Sequence, residues 1–182
     1  SGQSDVIAGG IPVNQKKLWH TLRETAIELG QLAGTDDCWL TLRGLRTMGG
    51  RLAHQARSAL DIALWLQNRP EVATVLHPAL PSCPGHTLWA RDFTEAGSLF
   101  GVVLKADYSQ AQMESMINNL TCFGIGASWG GYESLVLPTS GGITRQHPAP
   151  THGAGPSFRL QIGLEAIEDL QSDLEMAFQT LA

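Results

Sequence analysis

The sequence lacks several features that mark common functional classes. No apolar run approaches the ~18–20 residues that a membrane helix needs. The net charge is −5, from 12 Lys and Arg against 17 Asp and Glu, so no basic excess is available to hold nucleic acid. Residues 1–5 contain no basic region and no apolar stretch, so we expect no signal peptide. The sequence therefore predicts neither a nucleic-acid partner nor a membrane partner.

Cysteine is scarce, whereas apolar residues are plentiful. Cys38, Cys83 and Cys122 lie far apart. An odd, sparse set suits free thiols in a reducing compartment better than a disulfide framework, so we predict a cytoplasmic protein. The chain is 43% hydrophobic and 16% charged over 182 residues. That composition is sufficient for one ordinary folded domain, or for a large and a small one.

Recognised metal and phosphate motifs are also missing. His77, Cys83 and His86 share one loop, and His54 lies elsewhere. Zinc sites usually take two closely spaced pairs of ligands, so we predict no metal site and interpret these residues as structural. No G-x-x-x-x-G-K-[ST] segment occurs.

The hydrophobic periodicity predicts two helices followed by a region rich in strands. Helices are expected over residues 15–32 and from about residue 40 to residue 67, where Pro70 ends the second one. Residues 5–13 have the pattern of a strand, a turn and a strand. Beyond Pro70 the pattern predicts strands at 72–76, 98–105, 122–128, 134–137 and 158–162, and helices at 109–120 and 166–181. We interpret Ser109 as a helix N-cap.

This order of elements predicts an α/β protein, with a helical part that leads into a small α+β domain. The boundary is expected at Arg69-Pro70, which gives residues 1–69 and residues 70–182. Three acids near the start of the closing helix, Glu165, Glu168 and Asp169, are interpreted as support for the helix dipole.

Arg159 is a candidate for binding a carboxylate. In the predicted strand 158–162, Phe158, Leu160 and Ile162 share one face, and Arg159 points to the other. An arginine in that position is commonly a solvated edge residue. If its face lines a cleft, the guanidinium instead offers two parallel hydrogen bonds to a carboxylate.

The glycine-rich segment 124–131 surrounds Ser128 and has three interpretations. It is a tight bend in a sheet, a set of donors for an anion that includes Ser128, or a G-x-S-x-G nucleophile elbow at residues 126–130. The elbow requires a helix after the serine and then an acid and a histidine. A strand is predicted there instead, and only His147 and His152 follow, which disfavours a serine hydrolase.

Six segments together resemble the Cys/Met-metabolism family of pyridoxal-phosphate (PLP) enzymes, in the same order along the whole chain. The segment that contains Trp129 and Tyr132 is most like that of the β-lyases, since γ-lyases and γ-synthases more often carry Leu-Gly-Gly. The six segments are 2–5, 43–47, 76–81, 84–86, 128–135 and 159–170.

The resemblance implies the C-terminal half of a fold-type I PLP enzyme. Residues 1–69 would be the tail of the large PLP domain with a long inter-domain helix. Residues 70–182 would be the small domain, with an antiparallel sheet flanked by helices. In the family the Schiff-base lysine precedes a Gly-His-Ser-Asp segment, and here Gln3 stands at the usual histidine. None of Lys16, Lys17 and Lys105 matches the lysine position. The resemblance therefore implies no catalytic residue in this chain, and a chain inactive alone.

The resemblance also implies the function of the intact enzyme, a tetramer with bound PLP. It would cleave L-cystathionine to homocysteine, pyruvate and ammonia by β-elimination. Arg159 would hold the substrate α-carboxylate, and Ser128 with Trp129 would complete that pocket, whereas Tyr132 and Glu133 are interpreted as structural. A γ-lyase, a γ-synthase or a methionine γ-lyase remains an alternative within the family.

Overall fold

The computed structural model describes residues 1–140 and 153–181. Helices and strands follow one another in the order expected for an α/β protein. The helices are α1 Lys16–Glu28, α2 Thr35–Gln67, α3 His86–Asp92, α4 Gln110–Asn118 and α5 Ile167–Phe178, with a final 3-10 turn at Gln179–Leu181. The strands are β1 Val72–Leu76, β2 Leu99–Leu104, β3 Gly124–Ile125, β4 Leu135–Pro138 and β5 Ser157–Gln161.

Most predicted elements are confirmed, although the strand predicted at 122–128 is present only at Gly124–Ile125, and two regions differ. Residues 5–13 form neither of the two predicted strands. Glycines interrupt this segment, and a strand needs a neighbour to accept its hydrogen bonds. The second difference is α3, a helix that the sequence pattern did not predict. The predicted N-cap is confirmed: Ser109 and Gln112 form a reciprocal capping box at the start of α4.

The five strands form one sheet in the order β1-β2-β5-β4-β3. Strand β5 lies in the centre, and Arg159 pairs with Gly101 of β2 on one side and with Leu137 of β4 on the other. A central strand is held by hydrogen bonds along both edges, so the position of the Arg159 backbone is fixed more firmly than that of an edge residue.

The prediction of an antiparallel sheet is wrong for one pair of strands. Three pairings are antiparallel, but β3 runs parallel to β4, with Gly124 opposite Leu135. A parallel pair requires the chain to return to the start of the neighbouring strand before it continues. Residues 126–134, called here the β3–β4 loop, make that return.

The hydrophobic core lies on one face of the sheet. Phe158 and Leu160 of β5 are buried there, as is Val102 of β2. The second half of α2, with α4 and α5, contributes to the same hydrophobic cluster. Because side chains alternate along a strand, Arg159 lies on the opposite face, as predicted.

The chain divides into two compact units, Ser1–Gly49 and Gly50–Ala182. The division falls inside α2, whose residues Ala59, Ile62 and Leu66 belong to the core of the second unit. The position of the boundary between a large and a small domain stays a prediction.

Two other features bear on the predictions made from composition. Cys38, Cys83 and Cys122 are free thiols; Cys38 is exposed, and the other two are partly buried. No described helix is both long enough and apolar enough to cross a membrane.

Candidate functional site

Arg159 and the β3–β4 loop lie in contact. The Nη2 atom of Arg159 donates hydrogen bonds to the backbone oxygens of Gly126 at 3.2 Å, Ala127 at 3.0 Å and Ser128 at 2.9 Å. The structure thus brings together the two features that the sequence singled out. The groups in contact differ from those expected, since the loop presents carbonyl acceptors to the guanidinium.

The Nε atom of Arg159 is buried and has no acceptor among the described residues. Buried N–H groups are nearly always paired in folded proteins, because desolvation without a hydrogen bond is unfavourable. An unpaired and charged N–H beside a loop is consistent with a site whose natural acceptor is a ligand.

Ser128 and Trp129 lie at the exposed part of the β3–β4 loop. The Trp129 side chain is 66% exposed, and Gly130 follows it at φ +79°, a conformation that favours glycine. The next element after Ser128 is strand β4, not a helix. A nucleophile elbow requires a turn from strand to helix, so the geometry at Ser128 does not support a serine hydrolase. His147 and His152 lie outside the described residues.

The end of the β3–β4 loop is hydrogen-bonded to the segment after β5. Glu165 accepts hydrogen bonds from the backbone N–H of Ser134 at 2.9 Å and from its hydroxyl at 2.7 Å. The Ser134 hydroxyl in turn accepts from the Gly163 N–H at 2.8 Å. A Cβ at Gly163 would overlap the Tyr132 carbonyl, so only glycine permits this approach.

The prediction that Glu165 supports a helix dipole is therefore wrong. Helix α5 begins at Ile167, and the acids of its first turn are Glu168 and Asp169. The side chain of Glu165 is turned toward Ser134 of the β3–β4 loop. Spacing in the sequence cannot distinguish an acid that supports a helix dipole from one that binds a neighbouring loop when the acid lies just before a helix.

Gln55 of α2 also binds the β3–β4 loop. It is buried, and its side-chain amide donates to Gly131 O at 2.7 Å and to Ile162 O at 3.0 Å. Sequence reasoning did not identify this residue. A signal was present, since Gln55 occupies the same helical stripe as Ala59 and Ile62, and a polar residue on a buried stripe needs a partner.

The two residues that precede Ser134 lie at the surface. Tyr132 and Glu133 are exposed, and a hydrogen bond with the Glu133 carboxylate raises the pKa of the Tyr132 hydroxyl. The Tyr132 carbonyl accepts from the Leu164 N–H at 2.8 Å. This backbone contact agrees with the structural interpretation of Tyr132.

The three lysines of the chain are all exposed. Lys16 and Lys17 begin α1 and are exposed. Lys105 is exposed just beyond β2, four residues along the strand from Gly101, the partner of Arg159. A lysine that reacts with a carbonyl is typically desolvated or placed beside another cation. That this chain lacks the Schiff-base lysine stays a prediction.

The histidines and the cysteine in the loop after β1 make local contacts. His77 Nδ1 accepts from the Ala79 N–H at 3.2 Å, and His86 Nδ1 lies 2.8 Å from Pro78 O. Cys83 Sγ contacts Pro84 O at 3.7 Å. Within residues 1–140 and 153–181, no group of three His, Cys, Asp or Glu side chains is arranged to hold a metal ion.

Comparison with known proteins relates the whole chain to one family. The model of the family described as Cys/Met metabolism PLP-dependent enzyme matches residues 1–179. A putative cystathionine beta-lyase of Rhizobium johnstonii is 47% identical over 181 residues, which cover 98% of this chain and 45% of that relative. The cystathionine beta-lyase of Salmonella typhimurium is 41% identical over 182 residues, which cover 97% of this chain and 45% of that relative.

A solved structure gives the same relationship in three dimensions. A cystathionine gamma synthase from Xanthomonas oryzae pv. oryzae, in complex with cystathionine, matches with a TM-score of 0.86 and 32% identity. The match covers 99% of this chain and 47% of that one. The chain thus spans about half the length of the proteins that it matches.

Proposed function

Because the chain belongs to the Cys/Met metabolism PLP-dependent enzyme family, we propose that it forms the C-terminal half of a PLP-dependent carbon–sulfur lyase. Its relatives are matched over about half of their length, which supports this assignment. In the first unit, α1 buries none of its residues, and Trp39 and Leu42 of α2 are exposed. Apolar surface of this kind is typical of a face that further protein covers.

The proposed reaction of the longer protein is the β-elimination of L-cystathionine. With one water molecule, cystathionine gives homocysteine, pyruvate and ammonia as the bond between Cβ and sulfur breaks. The names of the two relatives support this choice. When bound, PLP supplies the electron sink for the substrate amino acid, and the residues that hold PLP lie outside this chain in this proposal.

Arg159 is proposed to bind the substrate α-carboxylate. The observation that carries the proposal is its buried Nε, which has no acceptor within residues 1–140 and 153–181, while its Nη2 contacts the β3–β4 loop. A guanidinium has two edges that present a pair of parallel N–H groups, and Nη2 contributes one N–H to each edge. A carboxylate bound by both of its oxygens takes one proton from Nη2 and one from Nε or Nη1. The loop carbonyls then lose a hydrogen bond from one of the two Nη2 protons.

Ser128 and Trp129 are proposed to complete the carboxylate pocket. The Ser128 hydroxyl is exposed and makes no hydrogen bond to the described residues, so it is free to donate. The exposed Trp129 ring offers an apolar wall that excludes water from a bound ion pair, which strengthens that pair. Held by its carboxylate at a fixed point, the substrate has a defined orientation for the reaction at Cα.

The test of this proposal is Arg159→Ala in the full-length protein with PLP bound. We expect a higher KM for cystathionine and a fall in kcat/KM of about a hundredfold, which is roughly 3 kcal/mol for a lost buried charge pair. Arg91→Ala is the matched control, because Arg91 is exposed and its partner Asp92 lies next to it in the sequence. Wild-type kinetics in Arg159→Ala would remove Arg159 from the site.

The products distinguish the reactions within the family. β-Elimination of cystathionine releases pyruvate, whereas γ-elimination releases 2-oxobutyrate and cysteine. The similarity to a solved gamma synthase and to a methionine gamma lyase keeps γ-type chemistry as the second candidate. Chromatography of the 2-oxoacid decides between the two. Tetrameric assembly and a cytoplasmic location stay predictions.

A further inference from the structure

Different side chains hold the β3–β4 loop before and after Trp129. Arg159 holds residues 126–128 at the start through Nη2. Gln55 holds Gly131 from the other side through a hydrogen bond of 2.7 Å. Ser128, Trp129 and Gly130 lie around the gap between these attachments, and all three are exposed.

Gln55 also joins the loop to the strand that carries Arg159. Its amide donates to Ile162 O at 3.0 Å, three residues beyond Arg159 along the chain. Gln161 Nε2 donates to the same carbonyl at 2.9 Å. Gln55 therefore ties Gly131 of the β3–β4 loop and Ile162, the residue after β5, to a single point on α2. A single buried amide that binds two separate backbone segments restrains the distance between them.

The attachment through Arg159 weakens when a carboxylate binds. A bound carboxylate takes an Nη2 proton that the loop carbonyls share in its absence, as derived above. The attachment through Gln55 involves none of these atoms, so it persists in the bound state. The hydrogen bonds of Tyr132 and Ser134 to the segment after β5 persist as well, but the attachment at Gly131 is nearer in sequence to Ser128 and Trp129.

From this geometry we propose that Gln55 is a positioning residue for the carboxylate pocket. It acts by holding Gly131 and Ile162 so that Ser128 and Trp129 stay opposite Arg159 while substrate is bound. This inference rests on the proposed function of Arg159. Gln55 touches neither the substrate nor the cofactor in this role.

The test compares Gln55→Leu and Gln55→Glu with the wild type, in the full-length protein with PLP bound. We expect Gln55→Leu to raise KM for cystathionine roughly tenfold and to change kcat less than about threefold, because Arg159 itself remains on β5. Gln67→Leu is the matched control, since Gln67 is an exposed glutamine of α2 whose side-chain amide bonds Ser82 and no other described residue. Its KM should equal that of the wild type.

Gln55→Glu adds a readout that a purely structural role would not give. The introduced carboxylate faces two carbonyl oxygens, which favours its protonated form and raises its pKa. The protonated acid donates one hydrogen bond and restores one attachment. The ratio of the Gln55→Glu KM to the wild-type KM should therefore fall as the pH is lowered, whereas the ratio for Gln55→Leu should stay constant.

Hydrogen exchange gives a measurement that is independent of activity. In Gln55→Leu, amides of residues 128–131 should exchange faster with substrate analogue bound, while those of α5 stay at the wild-type rate. If Gln55→Leu has the KM and the exchange rates of the wild type while Arg159→Ala is impaired, the role of Gln55 is overturned and that of Arg159 stands. Wild-type kinetics in Arg159→Ala would instead overturn the proposed function. Equal loss of thermal stability and of kcat in both Gln55 variants, with no pH effect, would also contradict a positioning role.

Discussion

His77 shows what burial does to a single ionisable residue. Its ring is completely buried and packs edge-on against Phe100, with 5.5 Å between ring centroids. Nδ1 accepts the Ala79 N–H, so the neutral ring carries its proton on Nε2, which has no acceptor among the described residues. Burial lowers the pKa of His77 because the charged imidazolium is disfavoured away from water.

This lowered pKa makes stability depend on pH. Below the unfolded value of about 6.5, the unfolded chain binds a proton that the folded chain resists, so the free energy of unfolding decreases as the pH falls. We expect His77→Gln to lose less stability than the wild type between about pH 7.5 and pH 5.5. Urea midpoints across this range measure the effect. His54→Gln, which changes an exposed histidine, should follow the wild type. Parallel curves for His77→Gln and the wild type would contradict this account.

At the scale of elements, the clearest example is the connection between α5 and the start of β3. The buried carboxylate of Asp173 accepts hydrogen bonds from the backbone N–H groups of Thr121 and Cys122, at 2.9 and 2.8 Å, and from the Thr121 hydroxyl at 2.8 Å. These bonds fix the segment that leads from α4 into β3. The β3–β4 loop begins two residues after that strand starts.

Removing this connection should destabilise the protein. Asp173→Ala leaves two backbone N–H groups without their acceptor, so the free energy of unfolding should fall by about 3 kcal/mol. Asp169→Ala is the control on the same helix, and since Asp169 is exposed, its loss should be under about 1 kcal/mol. Urea denaturation of both variants gives the comparison. A loss in Asp173→Ala no larger than that in Asp169→Ala would show that α5 is held by apolar packing alone.

At the scale of the whole molecule, the sheet and the cofactor chemistry belong to different parts of the proposed enzyme. The second unit supplies Arg159, Gln55 and the β3–β4 loop from one sheet and its helices. The three lysines of the chain are exposed. The proposal therefore assigns carboxylate binding to this chain and covalent chemistry to the remainder of the longer protein.

Trapping with borohydride tests this division. The chain of 182 residues, mixed with PLP and then reduced, should show no stoichiometric adduct on a single lysine and should not release pyruvate from cystathionine. The physical reason is that its exposed lysines lack the desolvated setting of a reactive amine. Peptide mass spectrometry locates any adduct, and the full-length protein serves as the positive control. One fully modified lysine in the short chain would refute the assignment.

Local patterns in the sequence were sufficient for much of the fold. The alternation at residues 158–162 predicted both β5 and the face of the sheet on which Arg159 lies, because strand geometry alone fixes which neighbours share a side. The cap at Ser109 was predictable for a similar reason, since both partners of the capping box lie within one turn. Helix α3 was missed because seven residues after a proline-rich loop are too few to show helical periodicity.

The sequence by itself determined the family, the order of elements and the candidates Arg159 and Ser128, since these follow from residue types and from spacings within single segments. Only the tertiary structure decided that loop carbonyls face Arg159, that β3 runs parallel to β4, and that Gln55 holds the loop. The hydrogen bonds of Gln55 join residues 76 and 107 positions apart. Partners at such separations are chosen by the packing of the whole sheet and its helices, and no local rule of helix or strand formation specifies them.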